Sequence, residues 1–232
     1  DVLPGLWEIT GDPRYGELCE TLAETVKLEC ANLDETYHLH GLLASVLGLL
    51  KLYQLTGRGE YLEPVTATWE RIVSEFMFVN GAMPEISPLE IEQDESCQLG
   101  DAIKIGTALW RLTLDPKYLE ELERPVYNSL YFVQMPNGGF SVGSCVDQGF
   151  RRHEEAWMCC EMHVTRGYAE LLENIYAKGE DTVWVNFFYD SEVNLRLDGI
   201  GDVYIEQRTK YPQSGGLRLM VRCARGKRFA LK

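Results

Sequence analysis

Three segments of this chain repeat one pattern, and the repeat narrows the possible folds more than any other feature. Leu6-Trp7 leads through Thr10-Gly11-Asp12-Pro13-Arg14 to Tyr15 and Glu17. Leu52-Tyr53 leads through Thr56 to Tyr61 and Glu63, and Leu109-Trp110 leads through Thr113 and Asp115-Pro116-Lys117 to Tyr118 and Glu120. In every copy an aromatic precedes the threonine by three residues and a tyrosine follows it by five. The copies stand 46 and 57 residues apart, a period that belongs to stacked helical hairpins. Gly, Asp and Pro punctuate the copies, so each reads as a tight turn between the end of one helix and the start of the next.

Around these turns the periodicity predicts six helices, at about 13–31, 37–56, 60–77, 94–114, 116–134 and 155–178, with boundaries good to a few residues. The second is apolar almost all round (Leu42, Leu43, Val46, Leu47, Leu49, Leu50), whereas the first, third and fifth carry regular charges such as Glu17, Glu20, Glu24, Lys27 and Glu120, Glu121, Glu123. Even-numbered helices are therefore expected inside and odd ones outside. That is the two-layer logic of an (α/α)6-type toroid of helical hairpins. The joins near Thr56 and Thr113 are short, while 80–93 and 135–154 are long loops of the kind that carries function. Alternating helix direction puts the long loops on one rim, where the inner helices begin. After Gly179 the residues turn β-branched and aromatic and are broken by Gly199, Gly201, Gly215 and Gly216, which predicts strands and hairpins. The expected organisation is a mainly α catalytic domain over 1–180, an incomplete toroid, and the start of a β-sandwich over 181–232. The chain stops while still alternating, as a piece of something longer would.

With 36 acidic and 22 basic residues the formal charge is -14, a field that repels a phosphate backbone and argues against nucleic acid as a partner. Apolar residues make up 45%, which excludes disorder, and no run approaches the roughly 18 uninterrupted apolar residues of a membrane span. A soluble protein without a membrane partner is expected. Seven cysteines form an odd, uneven set in a chain too long to need staples, so free thiols or metal ligands are expected rather than disulfides. Such thiols favour a reducing, cytoplasmic setting. Cys19 and Cys30 lie in a helical pattern and read as small buried hydrophobes.

Topology gathers three polar clusters at the amino ends of the inner helices: His38 and His40, then Glu95 and Cys97, then Cys159, Cys160 and His163. Asp94 reads as an N-cap for Glu95-Ser96-Cys97, which would place a thiol in a first turn where the helix field favours the thiolate. One carboxylate and three thiolates form a closed four-ligand set of the kind zinc accepts. A buried thiol cluster without metal is the competing reading of the same residues. His38 and His40 are two apart on a predicted helix, so at most one should face the cavity, His40 by preference.

Glu95-Ser96-Cys97, with Leu109-Trp110-Arg111-Leu112-Thr113, Glu123-Arg124, Tyr127-Asn128, Gly138-Gly139-Phe140, Ala156-Trp157-Met158-Cys159-Cys160 and Trp184-Val185-Asn186-Phe187, resembles glycoside hydrolase family 127, the β-L-arabinofuranosidases. The resemblance runs from about His38 to the carboxyl end. It implies an (α/α)6 barrel followed by β-sandwich domains, a zinc ion held by Glu95, Cys97, Cys159 and Cys160, and Cys159 as the nucleophile of a retaining hydrolase acting on terminal β-L-arabinofuranose or a related sugar of plant glycans. It also implies a proton donor on the loop before Glu95, for which Glu85 leads and Glu90 and Glu92 follow. His40, His38, Trp157, His153 and His163 are candidates to touch sugar, with Arg151 and Arg152 beside them; core or surface packing is the plainer reading of each. Glu123, Arg124 and Asn128 lie on an outer helix and read as structural. The alternatives to an enzyme are a carbohydrate-binding toroid with a structural zinc and an inactive fragment.

Overall fold

The computed structural model describes residues 2–35, 37–87, 94–144, 156–224 and 226–232. They fall into two compact units, residues 1–168 and 169–232.

The first unit is a series of helical hairpins. Helices α1 (Val2–Thr10), α2 (Pro13–Ala31), α3 (Leu39–Thr56), α4 (Gly59–Arg71), α5 (Cys97–Thr113), α6 (Lys117–Arg124) and α7 (Met158–Glu173) follow in order, the last continuing into the second unit. Helix α4 widens at its end into a π-turn at Ile72–Phe76, and α6 does the same at Pro125–Leu130, where Pro125 brings no N–H to continue the α pattern. Two short strands, β1 (Tyr37–His38) and β2 (Ile86–Ser87), pair antiparallel.

The repeat has one physical cause. Each threonine hydroxyl donates to the carbonyl four residues earlier: Thr10 to Leu6 at 2.7 Å, Thr56 to Leu52 at 2.7 Å and Thr113 to Leu109 at 2.8 Å. The same oxygen then accepts the N–H two residues on, from Asp12, Arg58 and Asp115. The residue between is left-handed in all three copies, Gly11, Gly57 and Leu114, as a C-terminal cap requires. Asp12 and Asp115 accept the N–H of Arg14 and Lys117 at 3.0 Å and so start the next helix. The first copy closes α1, a helix beyond the six expected.

The inner and outer layers are as expected for five of the six predicted helices. Helix α3 buries Leu39, Leu42, Leu43, Val46, Leu47, Leu49, Leu50 and Leu52, and α5 is buried from Cys97 through Ile103. Helix α2 buries only Gly16, Cys19, Ala23 and Cys30, the single stripe of an outer helix. By length and composition α3 alone among the described helices passes for a membrane span, and here it packs against α1, α2, α4 and α5. The exception is the sixth predicted helix, α7. It buries Cys160, Val164, Gly167 and Leu171 but exposes Met158, Met162 and Leu172.

In the second unit β3 (Tyr176–Lys178), β4 (Thr182–Val185) and β8 (Ala230–Leu231) form one sheet, and β5 (Ser191–Leu197), β6 (Gly201–Thr209) and β7 (Leu217–Cys223) form another. The antiparallel register pairs Val193 with Ile205 and Ile205 with Val221. Val183 of the first sheet packs with Leu197, Val203 and Ile205 of the second, as in an opening β-sandwich. The sixth helix was expected to reach residue 178, yet Tyr176–Lys178 is strand. Asn174 donates to the Glu170 carbonyl at 2.7 Å and ends the helix before the β-favouring Ile175-Tyr176.

Candidate metal and active site

The site grows from the amino end of α5, which is tied down on two sides. On one side Ser96 gives its hydroxyl to Ser141 O (2.7 Å) and its N–H to Val142 O (2.6 Å). Asp94 is buried and accepts both the N–H (2.8 Å) and the hydroxyl (2.7 Å) of Ser144. Asp94 is therefore not the N-cap expected from the sequence. The cap position is Ser96, Cys97 is the first helical residue, and the carboxylate of Asp94 secures the 141–144 loop instead. On the other side Gln98 Nε2 donates to Pro84 O at 3.0 Å, and Glu95 N to Met83 O at 3.3 Å. Strand β2 pairs with β1, His38 opposite Ile86, and Leu39 N donates to Glu85 O at 2.9 Å. The loop carrying Glu85 thus runs beside the start of α3.

Helix α7 crosses α5 at two glycines. A Cβ on Gly100 would stand 2.1 Å from His163 O, and one on Gly167 would stand 3.0 Å from Gly100 Cα. Only bare backbone permits that approach. One turn earlier on α5 and two turns earlier on α7, Cys97 and Cys160 meet.

Cys97 Sγ donates to Cys160 Sγ at 3.4 Å, Cys160 Sγ lies 3.8 Å from Cys159 Sγ, and Glu95 Oε1 is 3.9 Å from Cys160 Sγ. One donor atom of each residue lies within 4.8 Å of all the others. Glu95, Cys97 and Cys160 are buried, while Cys159 is exposed. The Cys97 thiol is pushed far up by its hydrogen bond to Cys160, then by burial and by Glu95. Cys160, receiving that bond, is brought down to about 7. Burial and the charge of Cys160 push Cys159 up. Three thiols and a carboxylate thus compete for protons in one buried place, which a cation would resolve. A tetrahedron with metal–sulfur bonds of about 2.3 Å has sulfur–sulfur edges of about 3.8 Å, close to the two sulfur separations here. The donor set and its spacing fit a metal ion.

A polar wall continues from the cluster. His38 Nε2 stands 3.0 Å from Glu95 Oε2, without the alignment of a hydrogen bond, so that buried oxygen has no such partner. The His38 and His40 rings are 5.9 Å apart, and those of His40 and His163 are 4.2 Å apart. The expectation that only one of His38 and His40 can face the site rested on both being helical. His38 belongs to β1, and the two rings are neighbours. His40 Nδ1 lies 2.6 Å from Asp101 Oδ2, and Arg166 donates to Asp101 Oδ1 at 2.8 Å. The Asp101 bond raises the His40 pKa against the opposing effect of burial, and burial lowers that of His163.

Of the remaining candidates, Glu85 is half-buried. Trp157 is exposed just ahead of α7. His153, Arg151, Arg152, Glu90, Glu92 and Cys145 lie outside the described residues. Cys19 and Cys30 are buried free thiols, as expected. Sequence reasoning missed Asp101 and Arg166. Asp101 follows Cys97 by one helical turn and so shares its face, a signal that was there to be read, whereas Arg166 carried none.

Residues 1–173 match the family model of the β-L-arabinofuranosidase, GH127 catalytic domain, and residues 182–232 that of the GH127 middle domain. Among solved structures, a GH127 β-arabinofuranosidase superposes with a TM-score of 0.77 at 22% identity, covering 94% of this chain and 39% of that one. A glycoside hydrolase does so at 0.73 and 20%, covering 94% and 45%. A GH127 β-L-arabinofuranosidase from Geobacillus stearothermophilus T6 does so at 0.73 and 19%, covering 95% and 44%. At these identities the likeness is one of fold, and the chain spans less than half the length of each structure. No curated protein matches the sequence.

Proposed function

The chain belongs to glycoside hydrolase family 127, and from that premise we propose that it carries the thiol-based active site of a retaining glycosidase that removes terminal β-L-arabinofuranose, or a related sugar, from plant glycans. Catalytic residues 1–180 and a sandwich beginning at 181 are the corresponding division of labour. The observation that carries the reading is the convergence of Glu95, Cys97, Cys159 and Cys160 with only Cys159 open to solvent.

In this reading Glu95, Cys97, Cys159 and Cys160 hold zinc, which suits their sulfur-rich set. Bound there, the ion would keep the thiols deprotonated at neutral pH. Cys159 is the nucleophile, since it alone can meet a substrate from outside. Its sulfur bonds to the anomeric carbon as the bond to the leaving oxygen breaks, and Glu85 gives that oxygen its proton. Water then attacks the same carbon, Glu85 takes the water's proton, and the carbon–sulfur bond breaks, so two inversions give net retention. The β1–β2 pairing, which sets Glu85 opposite Leu39 and next to His38, supports its assignment. His38, His40 and His163 are the nearest groups to hold sugar hydroxyls, and Trp157 and His153 are assigned to the rim on the sequence alone.

The test is Cys159→Ser. Hydrolysis of p-nitrophenyl β-L-arabinofuranoside should fall by several orders of magnitude while the melting temperature stays near that of the wild type, because a hydroxyl is a far poorer nucleophile than a thiolate. A folded variant with wild-type turnover removes Cys159 as nucleophile. Loss of fold, zinc and activity in parallel would instead favour a structural zinc in a carbohydrate-binding toroid.

A further inference from the structure

Among the described residues of the first unit, Asp101 is the most buried charge that the chemistry above does not use. It sits on α5 one turn beyond Cys97 with no exposed surface, and both carboxylate oxygens are engaged, one by His40 Nδ1 at 2.6 Å and the other by Arg166 at 2.8 Å. A fully buried carboxylate costs several kcal/mol in desolvation, and an apolar residue at the same place is often neutral or better for stability. An ion pair kept there calls for a task beyond packing. The residues it organises point to one. His40 has a single ring nitrogen committed, to Asp101, and Nε2 makes none of the described hydrogen bonds. The His163 ring lies 4.2 Å away, and its Nδ1 is buried without a partner.

We propose that Asp101, itself held by Arg166, is a positioning residue. It fixes the orientation and tautomer of His40, with the proton on Nδ1, so that Nε2 is presented to the space beside the thiol cluster. A histidine ring takes its tautomer from the hydrogen bond its other nitrogen makes. Without Asp101 the ring would be free to rotate and to move its proton. One nitrogen of each imidazole and an Asp101 oxygen lie within 4.8 Å of one another, a set that resembles a second metal site. The Arg166 guanidinium on the same carboxylate already supplies the positive charge, and it disfavours a cation there. The inference rests on the hydrolase reading only in its consequence, that the positioned His40 contacts sugar; the positioning itself does not depend on it.

The charged and titratable groups facing His40 are Asp101 on α5, Arg166 and His163 on α7, the buried Glu95 and the exposed His38. Nitrogen-15 NMR of histidine-labelled full chain, titrated from pH 5 to pH 9, reads the effect without any substrate. In the wild type the His40 Nδ1 proton should be hydrogen-bonded and the ring should titrate above its ordinary value. Asp101→Asn should lower the proton affinity of His40 by about tenfold or more, because a neutral amide replaces the carboxylate. Arg166→Gln should raise it, because the competing cation is gone. The Arg166 side chain is 43% exposed, so this second variant folds even if Asp101→Asn does not, and it carries the test alone. A His40 titration unmoved in Arg166→Gln overturns the proposal, as does a second metal ion per chain that is lost on substituting Asp101. In turnover, Asp101→Asn should raise KM more than it lowers kcat. A wild type without turnover on any arabinoside would fail the hydrolase reading and leave the titration to judge the positioning.

Discussion

At the scale of single residues, the three helix-ending turns are the same device built with different tolerance. Gly11 and Gly57 occupy the left-handed position in the first two copies, but Leu114 occupies it in the third at φ 56°. A side chain there costs roughly 1–2 kcal/mol, and Leu114 is 51% exposed, so it recovers little of that by packing. Leu114→Gly should stabilise the chain by about 0.5–1 kcal/mol once the greater freedom of glycine in the unfolded state is deducted. Chemical denaturation measures it, and a variant less stable than wild type would show that Leu114 earns its place by a contact. The cysteines illustrate the opposite case, in which a residue's type says little until its neighbours are known. Cys30 and Cys160 are both buried, yet burial pushes the Cys30 thiol up while the hydrogen bond from Cys97 takes Cys160 down to about 7.

At the scale of elements, the α5–α7 crossing decides whether there is a site. Glu95 and Cys97 come from one helix start and Cys159 and Cys160 from another, so the four converge only if the two backbones approach closely further along both helices. Gly100 and Gly167 make that approach possible. Gly100→Ala would drive a methyl against the His163 carbonyl and must push the helices apart. The expected loss is about 1–3 kcal/mol, the usual cost of overpacking a core, accompanied by weaker metal retention. A variant that keeps full metal content on loading and an unchanged melting temperature would refute this account of the crossing. The inner and outer sorting of α2 to α6 was legible because it follows from periodicity alone. The end of α7 was not, since an Asn side chain bonding back to a carbonyl four residues earlier is invisible to a hydrophobic pattern. The start of α5 misled for a similar reason. Asp94 has the right chemistry for a cap, but Ser144 took its carboxylate.

At the scale of the whole chain, the four cluster residues all belong to the first unit, and the core of the second (Val183, Leu197, Val203, Ile205) contains none of them. A metal held by this cluster would therefore be linked to the folding of one unit only. Stripping a metal-loaded preparation with chelator should lower the thermal stability of residues 1–168 and leave that of 169–232 unchanged. Hydrogen exchange resolved by peptide measures this: faster exchange should appear in α5 and at the start of α7, and not in β5, β6 or β7. Uniform loss of protection across both units would contradict it. Apolar side chains stand exposed on α7 (Met158, Met162, Leu172) and on α1 (Val2, Ile9), and the chain spans less than half of each solved structure it superposes on.

By itself the sequence determined the architecture, because hairpin period, helical stripes and turn chemistry are local properties that a linear pattern records. The three threonine turns, the apolar run of α3 and the switch to alternating residues after Gly179 each specify their own element without help from afar. It also determined which residue types could hold a metal. Only the tertiary structure decided how those residues share charge. The partnership of Asp101 with His40 and Arg166 spans 61 and 65 residues, the two histidines are brought together by a strand paired across a loop, and the single exposed thiol among four donors is a fact of packing. Contacts at such separations depend on where helices cross. Here that crossing is set by two glycines whose meaning lies in the side chains they lack.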